Sequence, residues 1–287
     1  MLARTDGFAA AAARFAREWQ RAYDGNAALR SVMRNSARYL FLVTCVWMHQ
    51  RSTRVAGDDG VTLARLIAFY AANPRVGTQA SASRLKEIVA HCKSRGLLHE
   101  VPATHDARRR PLEPTPKLID ALAAWTVGFL RGLAPVLPLP ATPEAMVATP
   151  SFVAELFQYR VAAVHEDGFA LPERLPVMQW VMSREKGYHV FLSLVRDMQL
   201  GPAGDALVPT HAGLLAREAG VARGTALNLL EGLEARGLLV RSPRSLHLRA
   251  EFVELACLWV ALEMLWMHGL ACAAFARLSH DAAGLQT

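Results

Sequence analysis

The tetrapeptide Arg-Gly-Leu-Leu occurs at Arg95–Leu98 and again at Arg236–Leu239. Placing Gly96 on Gly237 offsets the two by 141 residues, close to half of the 287-residue chain. In each place helix-like periodicity precedes the glycine and a short strand-like pair follows, over 97–115 and 238–249. A long helical stretch comes next in both. The order helix, helix, helix, two-strand ribbon, helix thus occurs twice, and any fold must accommodate a duplicated architectural unit. Glycine suits the position just past a helix end because it enters the left-handed region without a Cβ penalty. The arginine before it falls in the last turn, where a cation meets the negative end of the helix dipole. Arg-Gly-Leu-Leu therefore reads as a structural marker, with its two leucines entering the ribbon on the core side.

Apolar residues recur at three- and four-residue spacing over 7–23, 36–50, 62–72, 80–95 and 115–132. They do so again over 143–165, 175–199, 209–218, 223–236 and 249–277. This predicts a mainly α protein with small β-wings. The segment PVLPLPATPEA (135–145) holds four prolines and reads as a linker between units 1–134 and 146–287. Hydrophobic residues make up 52% of the chain, enough for two sizeable cores.

The second copy carries the clearer local pattern, HAGLLAREAGVARGTALNLLEGLEARGLLVR (211–241). Leu214 and Leu215 give a short helix its apolar face, Gly220 makes a sharp turn, and Val221 fills the angle between two helices. On the second helix Leu227, Leu230 and Leu233, with Leu229 beside them, are expected to face inward. Arg223, Thr225 and Asn228 face outward near its front. This is a helix-turn-helix layout, which offers the front of the second helix to a DNA major groove. The first copy, 61–96, is looser, with Pro74 and Gly77 in the turn and Ser81, Ser83, Arg84 and Lys86 at the front. There Ile88, Val89 and Cys92 are expected inside.

Charge is uneven. Residues 1–140 hold 20 Lys+Arg against 10 Asp+Glu, and residues 141–287 hold 12 against 15. Net charges of +10 and −3 point to a polyanion as partner of the first half. Arginine supplies 28 of the 32 basic residues, in keeping with a GC-rich genome.

The stretch HDARRRPLEPTPKLIDAL (105–122) resembles the wing of the MarR-type winged helix-turn-helix regulators. The matching residues, in order, are Asp106, Arg108, Arg109, Arg110, Leu112 and Thr115. The resemblance implies two winged helix-turn-helix units in tandem, with long helices forming a dimer-like interface inside one chain. It also implies that Asp106 braces the wing while Arg108, Arg109 and Arg110 touch phosphates or the minor groove. Physics agrees, since three consecutive arginines on a hairpin tip cannot be core and a narrow minor groove attracts guanidinium. The second wing, VRSPRSLHLR, lacks the Asp-x-Arg element but keeps Arg241, Arg244 and Arg249. The function expected is double-stranded DNA binding by a transcriptional regulator with two unlike reading heads. A plasmid-type replication initiator and a protein-interaction adaptor are the competing readings.

Other classes find little support. GxxxxGK[ST], GxGxxG, GxSxG and HExxH are absent, so no enzyme, cofactor or metal is expected. Cys45, Cys92, Cys257 and Cys272 are scattered among apolar neighbours and read as small buried hydrophobes in a reducing cytoplasm. Trp-Met-His recurs at 47–49 and 266–268; Trp47, His49, Trp266 and His268 form a weak candidate site for a small-molecule effector where the halves meet. The first residues do not read as a signal peptide, because Asp6, Arg14 and Arg17 break the apolar run. Residues 252–276 resemble a membrane span in composition, but Glu254, Glu263 and His268 favour a buried interface helix. A monomer acting as a pseudo-dimer, or a further homodimer, is expected.

Overall fold

In chain order the helices are α1 (Phe8–Asp24), α2 (Ala27–Val32), α3 (Ser36–Thr53), α4 (Leu63–Ala72), α5 (Ala82–Ser94) and α6 (Pro116–Leu133). They continue as α7 (Pro143–Ala148), α8 (Phe152–His165), α9 (Pro176–Ser183), α10 (Gly187–Asp197), α11 (Ala212–Ala219), α12 (Arg223–Glu234) and α13 (Ala250–Gly284). The strands are β1 (Leu98–Glu100), β2 (Leu112–Pro114), β3 (Gln199–Leu200), β4 (Ala206–Val208), β5 (Leu239–Arg241) and β6 (Leu246–Leu248). These elements come from a computed structural model that describes residues 7–53, 60–73, 81–102 and 109–284, with 281–284 given by backbone alone. The chain is mainly helical with small antiparallel sheets, as the periodicity predicts.

Short polar side chains start several helices. The oxygens of Asn26, Thr62, Ser81 and Thr142 each accept a hydrogen bond from a backbone N–H in the first turn of the helix that follows. Two long helices expected from periodicity are instead broken. The stretch 143–165 divides into α7 and α8, with Ser151 at φ 65°. The stretch 175–199 divides into α9 and α10, with Lys186 at φ 55°. At the second break a Cβ on Gly187 would stand 2.0 Å from the Val181 carbonyl oxygen, so only glycine allows the chain to double back there.

The two copies share their closing geometry. Gly96 and Gly237 adopt φ 65° and 69°. Behind them Leu97 N–H donates to Cys92 O at 2.9 Å and Leu238 N–H to Leu233 O at 3.1 Å, the six-to-one bond of a Schellman cap. Thr115 N–H then donates to Leu97 O, and Arg249 N–H to Leu238 O, each at 3.0 Å, closing the ribbon. Thr115 and Arg249 stand 134 residues apart, against 141 for the two glycines. The first ribbon is thus seven residues longer than the second, and the difference lies wholly between its strands' ends.

The sheets differ in completeness. β1 and β2 pair alone, with one bridge from Val61 to Leu112. In the second copy that bridge is replaced by a ladder, β4 on β6 with Val208 opposite Leu246, and β3 is added outside to give the order β3-β4-β6-β5. The β3–β4 pair is not foreseen by the sequence pattern, because strands of two and three residues carry no readable alternation.

The chain forms two compact units, and each draws on both sequence halves. One comprises residues 1–22, 128–139 and 171–269; the other comprises 23–127, 140–170 and 270–287. The segment expected as a linker is shared, with 135–139 in the first unit and 140–145 in the second. In the first unit Phe8, Phe15 and Trp19 of α1 are buried, as are Phe129, Phe191 and Trp259. Its ring contacts are edge-on, Phe15 to Phe129 at 4.9 Å and Trp19 to Tyr188 at 5.2 Å. In the second unit α8 packs on α3, and Trp125 stacks on Phe157 at 6.4 Å.

Among the described residues α13 alone is long and apolar enough by length and composition to cross a membrane; half of its most apolar window is buried in the fold. Glu263 within it is buried and accepts a hydrogen bond from the Tyr188 hydroxyl.

The end of α6 and the body of α1 approach closely where two glycines lie four apart. A Cβ on Gly128 would stand 2.3 Å from the Ala22 Cβ, and one on Gly132 would stand 3.1 Å from Phe15. Gly128→Ala is therefore expected to cost about 1–3 kcal/mol in denaturant unfolding despite alanine's better helix propensity. Gly224→Ala, where a Cβ meets nothing within 4 Å, serves as the control and should show no loss.

Candidate nucleic-acid interface

Each unit presents one helix pair and ribbon. In the second unit α5 buries Leu85, Ile88, Val89 and Cys92, which leaves Ser81, Ser83 and Lys86 exposed on the opposite side. Ser81 has a structural task as well, since its hydroxyl oxygen accepts from Arg84 N–H at 3.2 Å. Arg84 is half-buried, with its guanidinium 3.5 Å from Glu87. On the ribbon Arg109 and Arg110 are exposed, while Pro111 and Leu112 turn into the core. Asp106 and Arg108 lie outside the described residues. Thr115 ties the ribbon's end down, because its hydroxyl donates to Gly96 O at 2.8 Å and accepts from Leu118 N–H at the start of α6.

In the first unit α12 buries Ala226, Leu229, Leu230 and Leu233. The inward set expected from spacing needs one change. Leu227 is only half-buried and lines a surface groove, while Leu229, Leu230 and Leu233 are buried as expected. Arg223 and Asn228 are exposed at the front of the helix, with Thr225 half-buried between them. The groove, about 470 Å³, runs between the front of α12 and the ribbon; His211, Arg223, Leu227, Arg241, Ser242 and Pro243 form its walls. His211 caps α11, its Nδ1 accepting from Gly213 N–H and Leu214 N–H at 3.2 and 3.3 Å. Ser242 N–H donates to Ser245 O, which leaves Pro243 and Arg244 exposed at the hairpin tip.

Arg241, on β5, is held by the preceding helix α12. Its Nε donates to Glu234 at 2.6 Å, its backbone N–H to the same carboxylate at 3.0 Å, and its Nη1 to Glu231 at 3.3 Å. These bonds hold the Glu234 carboxyl below its usual range. The first ribbon spends its acids differently. Glu100 takes Lys93 at 2.6 Å, and Glu113 sits 3.6 Å from the His99 ring.

A basic-aromatic stack was not foreseen. The Arg236 guanidinium lies 4.0 Å over the Trp180 ring and Arg184 lies 5.1 Å from it. Gly232 makes the room, since a Cβ there would stand 2.3 Å from the ring. The sequence signal, a glycine one turn before Arg236, is too short to read without the partner helix.

The two Trp-Met-His triplets fall in different compact units. Trp47 is buried against Phe69 and His165, with Arg51 over its ring at 5.4 Å. His49 is half-buried, and burial lowers its pKa. Trp266 is half-buried, and His268 Nε2 donates to Pro138 O at 2.7 Å. Burial pushes the Cys92 thiol up to about 12 and Cys45 higher than its ordinary value, so neither is a thiolate near neutrality. Among the described residues no group of three or more His, Cys, Asp and Glu could hold a metal ion.

Comparison of the chain with protein-family models, with curated proteins and with solved structures finds no match.

Two histidines, His189 buried and His165 half-buried, make stability depend on pH. Burial lowers His165 and His189 to about 4 from an ordinary 6.5, with the charges of Lys186 and Arg196 adding to the effect at His189. The unfolded chain takes up these protons near 6.5, and the folded chain does so only near 4. Their contribution is thus full above about 6.5 and is lost progressively as pH falls toward 4. Denaturant unfolding at stepped pH should show this decline, and His165→Gln should flatten it.

Proposed function

We propose that the chain is a double-stranded DNA-binding regulator in which two winged helix-turn-helix heads, of MarR-like form, belong to one polypeptide. The observation that carries the reading is the repetition itself. In both copies a helix pair ends in a left-handed glycine, a ribbon closes by the same backbone bond, and basic side chains stand at the ribbon and the front of the second helix. Recognition of this kind uses the helix front for base edges and the ribbon for backbone or minor groove. In the first copy Ser83 and Lys86 would face the major groove, with Arg108 to Arg110 on the wing. In the second copy Arg223, Thr225 and Asn228 would read, and Arg244 would reach the backbone from the hairpin tip.

The heads are not equivalent. Arg241 is paired with two carboxylates, so the second ribbon offers less free charge than its sequence implies. An asymmetric target with one firmly held half-site follows. The same acidic pairing favours a second reading, in which the second head docks a protein.

Binding to promoter-length DNA across salt tests the proposal. The Arg108→Ala/Arg109→Ala/Arg110→Ala variant should bind roughly 10- to 100-fold more weakly and lose about one unit of log–log salt slope per phosphate contact removed. Undiminished binding by that variant would sink the wing assignment.

Releasing Arg241 separates the two readings of the second head. Glu231→Gln/Glu234→Gln should raise DNA affinity several-fold if that head meets DNA, as measured by fluorescence anisotropy. Unchanged affinity would leave the protein-docking reading in its place.

A further inference from the structure

Helix α13 is apolar on two faces. One face enters the core through Phe252, Trp259, Val260, Met264, Met267 and Ala271. On the other, Leu255, Leu258, Leu262, Leu265, Gly269 and Cys272 recur at alternating three- and four-residue steps, the spacing of a coiled-coil seam. Leu258 and Leu265 are 42% and 46% exposed, Gly269 is exposed, and Leu255 and Leu262 are half-buried.

Gly269 is the smallest member of the seam, and like Gly224 on α12 it has no close neighbour. A glycine inside a helix costs about 1 kcal/mol relative to alanine. Gly128, Gly132 and Gly232 are accounted for, because a Cβ on each would crowd Ala22, Phe15 or Trp180. At Gly269 no described residue beyond its own helix lies within 4 Å of a Cβ, so the face is open there.

We propose that this face of α13 joins two copies of the chain, with the two helices antiparallel and crossing between residues 263 and 264. The large residues of the seam lie toward its start and the small ones toward its end. An antiparallel crossing at that point sets Leu258 against the partner's Gly269, Leu255 against the partner's Cys272, and Leu262 against the partner's Leu265. A parallel pair would set leucine on leucine at one end and leave a gap at the other. Charge agrees with size. Glu251 and Glu254 are exposed at the start of α13, while Arg277 and His280 are exposed toward its end. Arg277 already bonds Glu155, yet its side chain remains 42% exposed. Antiparallel pairing brings acid to base at both ends, and parallel pairing brings acid to acid. The leucine-to-cysteine span covers about 26 Å of helix, in the range of helix-pair packing at a shallow angle. The inference is independent of the nucleic-acid reading.

The test is the mass of the full chain in solution, by sedimentation equilibrium. The wild type should be a dimer at micromolar concentration. Leu258→Glu/Leu265→Glu should weaken dimerisation at least about 100-fold with unchanged circular dichroism and melting, since both side chains lie outside the core. Gly269→Leu should weaken it at least about tenfold, and adding Leu258→Ala should restore it by returning the space. A wild type that is monomeric at roughly 100 µM would overturn the proposal. So would a dimer indifferent to the leucine variants, a Gly269→Leu chain that dimerises as well as wild type, or a monomer that uses these leucines to bind phosphatidylcholine–phosphatidylglycerol vesicles.

Discussion

The lending of helices between sequence halves is the constraint on which the rest of the structure depends. α1 comes from the start of the chain yet completes a core built around Phe191 and Trp259. α8 comes from the second half yet completes a core that holds Phe41, Leu66 and Tyr70. A helix with an apolar stripe must bury it against another element, and neither half supplies a full set of such partners to itself. The junction at α1 is fixed in register by polar bonds. Gln20 donates to His189 O and to Ser193 Oγ, and Arg196 donates to Gln20 while holding Asp197 and Glu218. Buried bonds of this sort add little net stability, but leaving one unmade is costly, so they select one seating of the helix over its neighbours.

With the cores so arranged, each helix pair and its ribbon is a small rigid attachment. The glycine caps and the Thr115 and Arg249 closures hold the ribbon to the helix that precedes it, so charge on the ribbon has a defined place relative to the helix front. What distinguishes the copies is how that charge is spent. In one, Glu100 takes Lys93 of α5 and Glu113 faces His99 across the strands. In the other, Glu231 and Glu234 reach forward from α12 and take Arg241. The proposed asymmetry between heads thus rests on which residue each carboxylate faces, more than on a difference in net charge.

Much of the helical pattern was legible because apolar spacing records burial directly. The caps at Gly96 and Gly237 were legible too, since a left-handed residue after a helical run has few other uses. What escaped had tertiary causes. Lys186 and Ser151 adopt left-handed conformations that neither residue type prefers, and only the crossing of α9 with α10, or α7 with α8, accounts for them. Leu227 was expected inward but is half-buried at a surface groove beside the ribbon. Arg241 looked like free ribbon charge because its partners lie seven and ten residues earlier, on another element. The candidate effector residues looked alike as triplets, but likeness of sequence carried no information about which compact unit would hold them.

The long reach of Gln20 has a consequence for the chain's synthesis. Its partners His189 and Ser193 lie 169 and 173 residues downstream. At typical translation rates α1 must wait about 10–30 s before those residues leave the ribosome. During that interval Phe8, Phe15 and Trp19 have no finished core to enter. α1 is therefore made long before its partners, and its apolar face stays uncovered until they emerge.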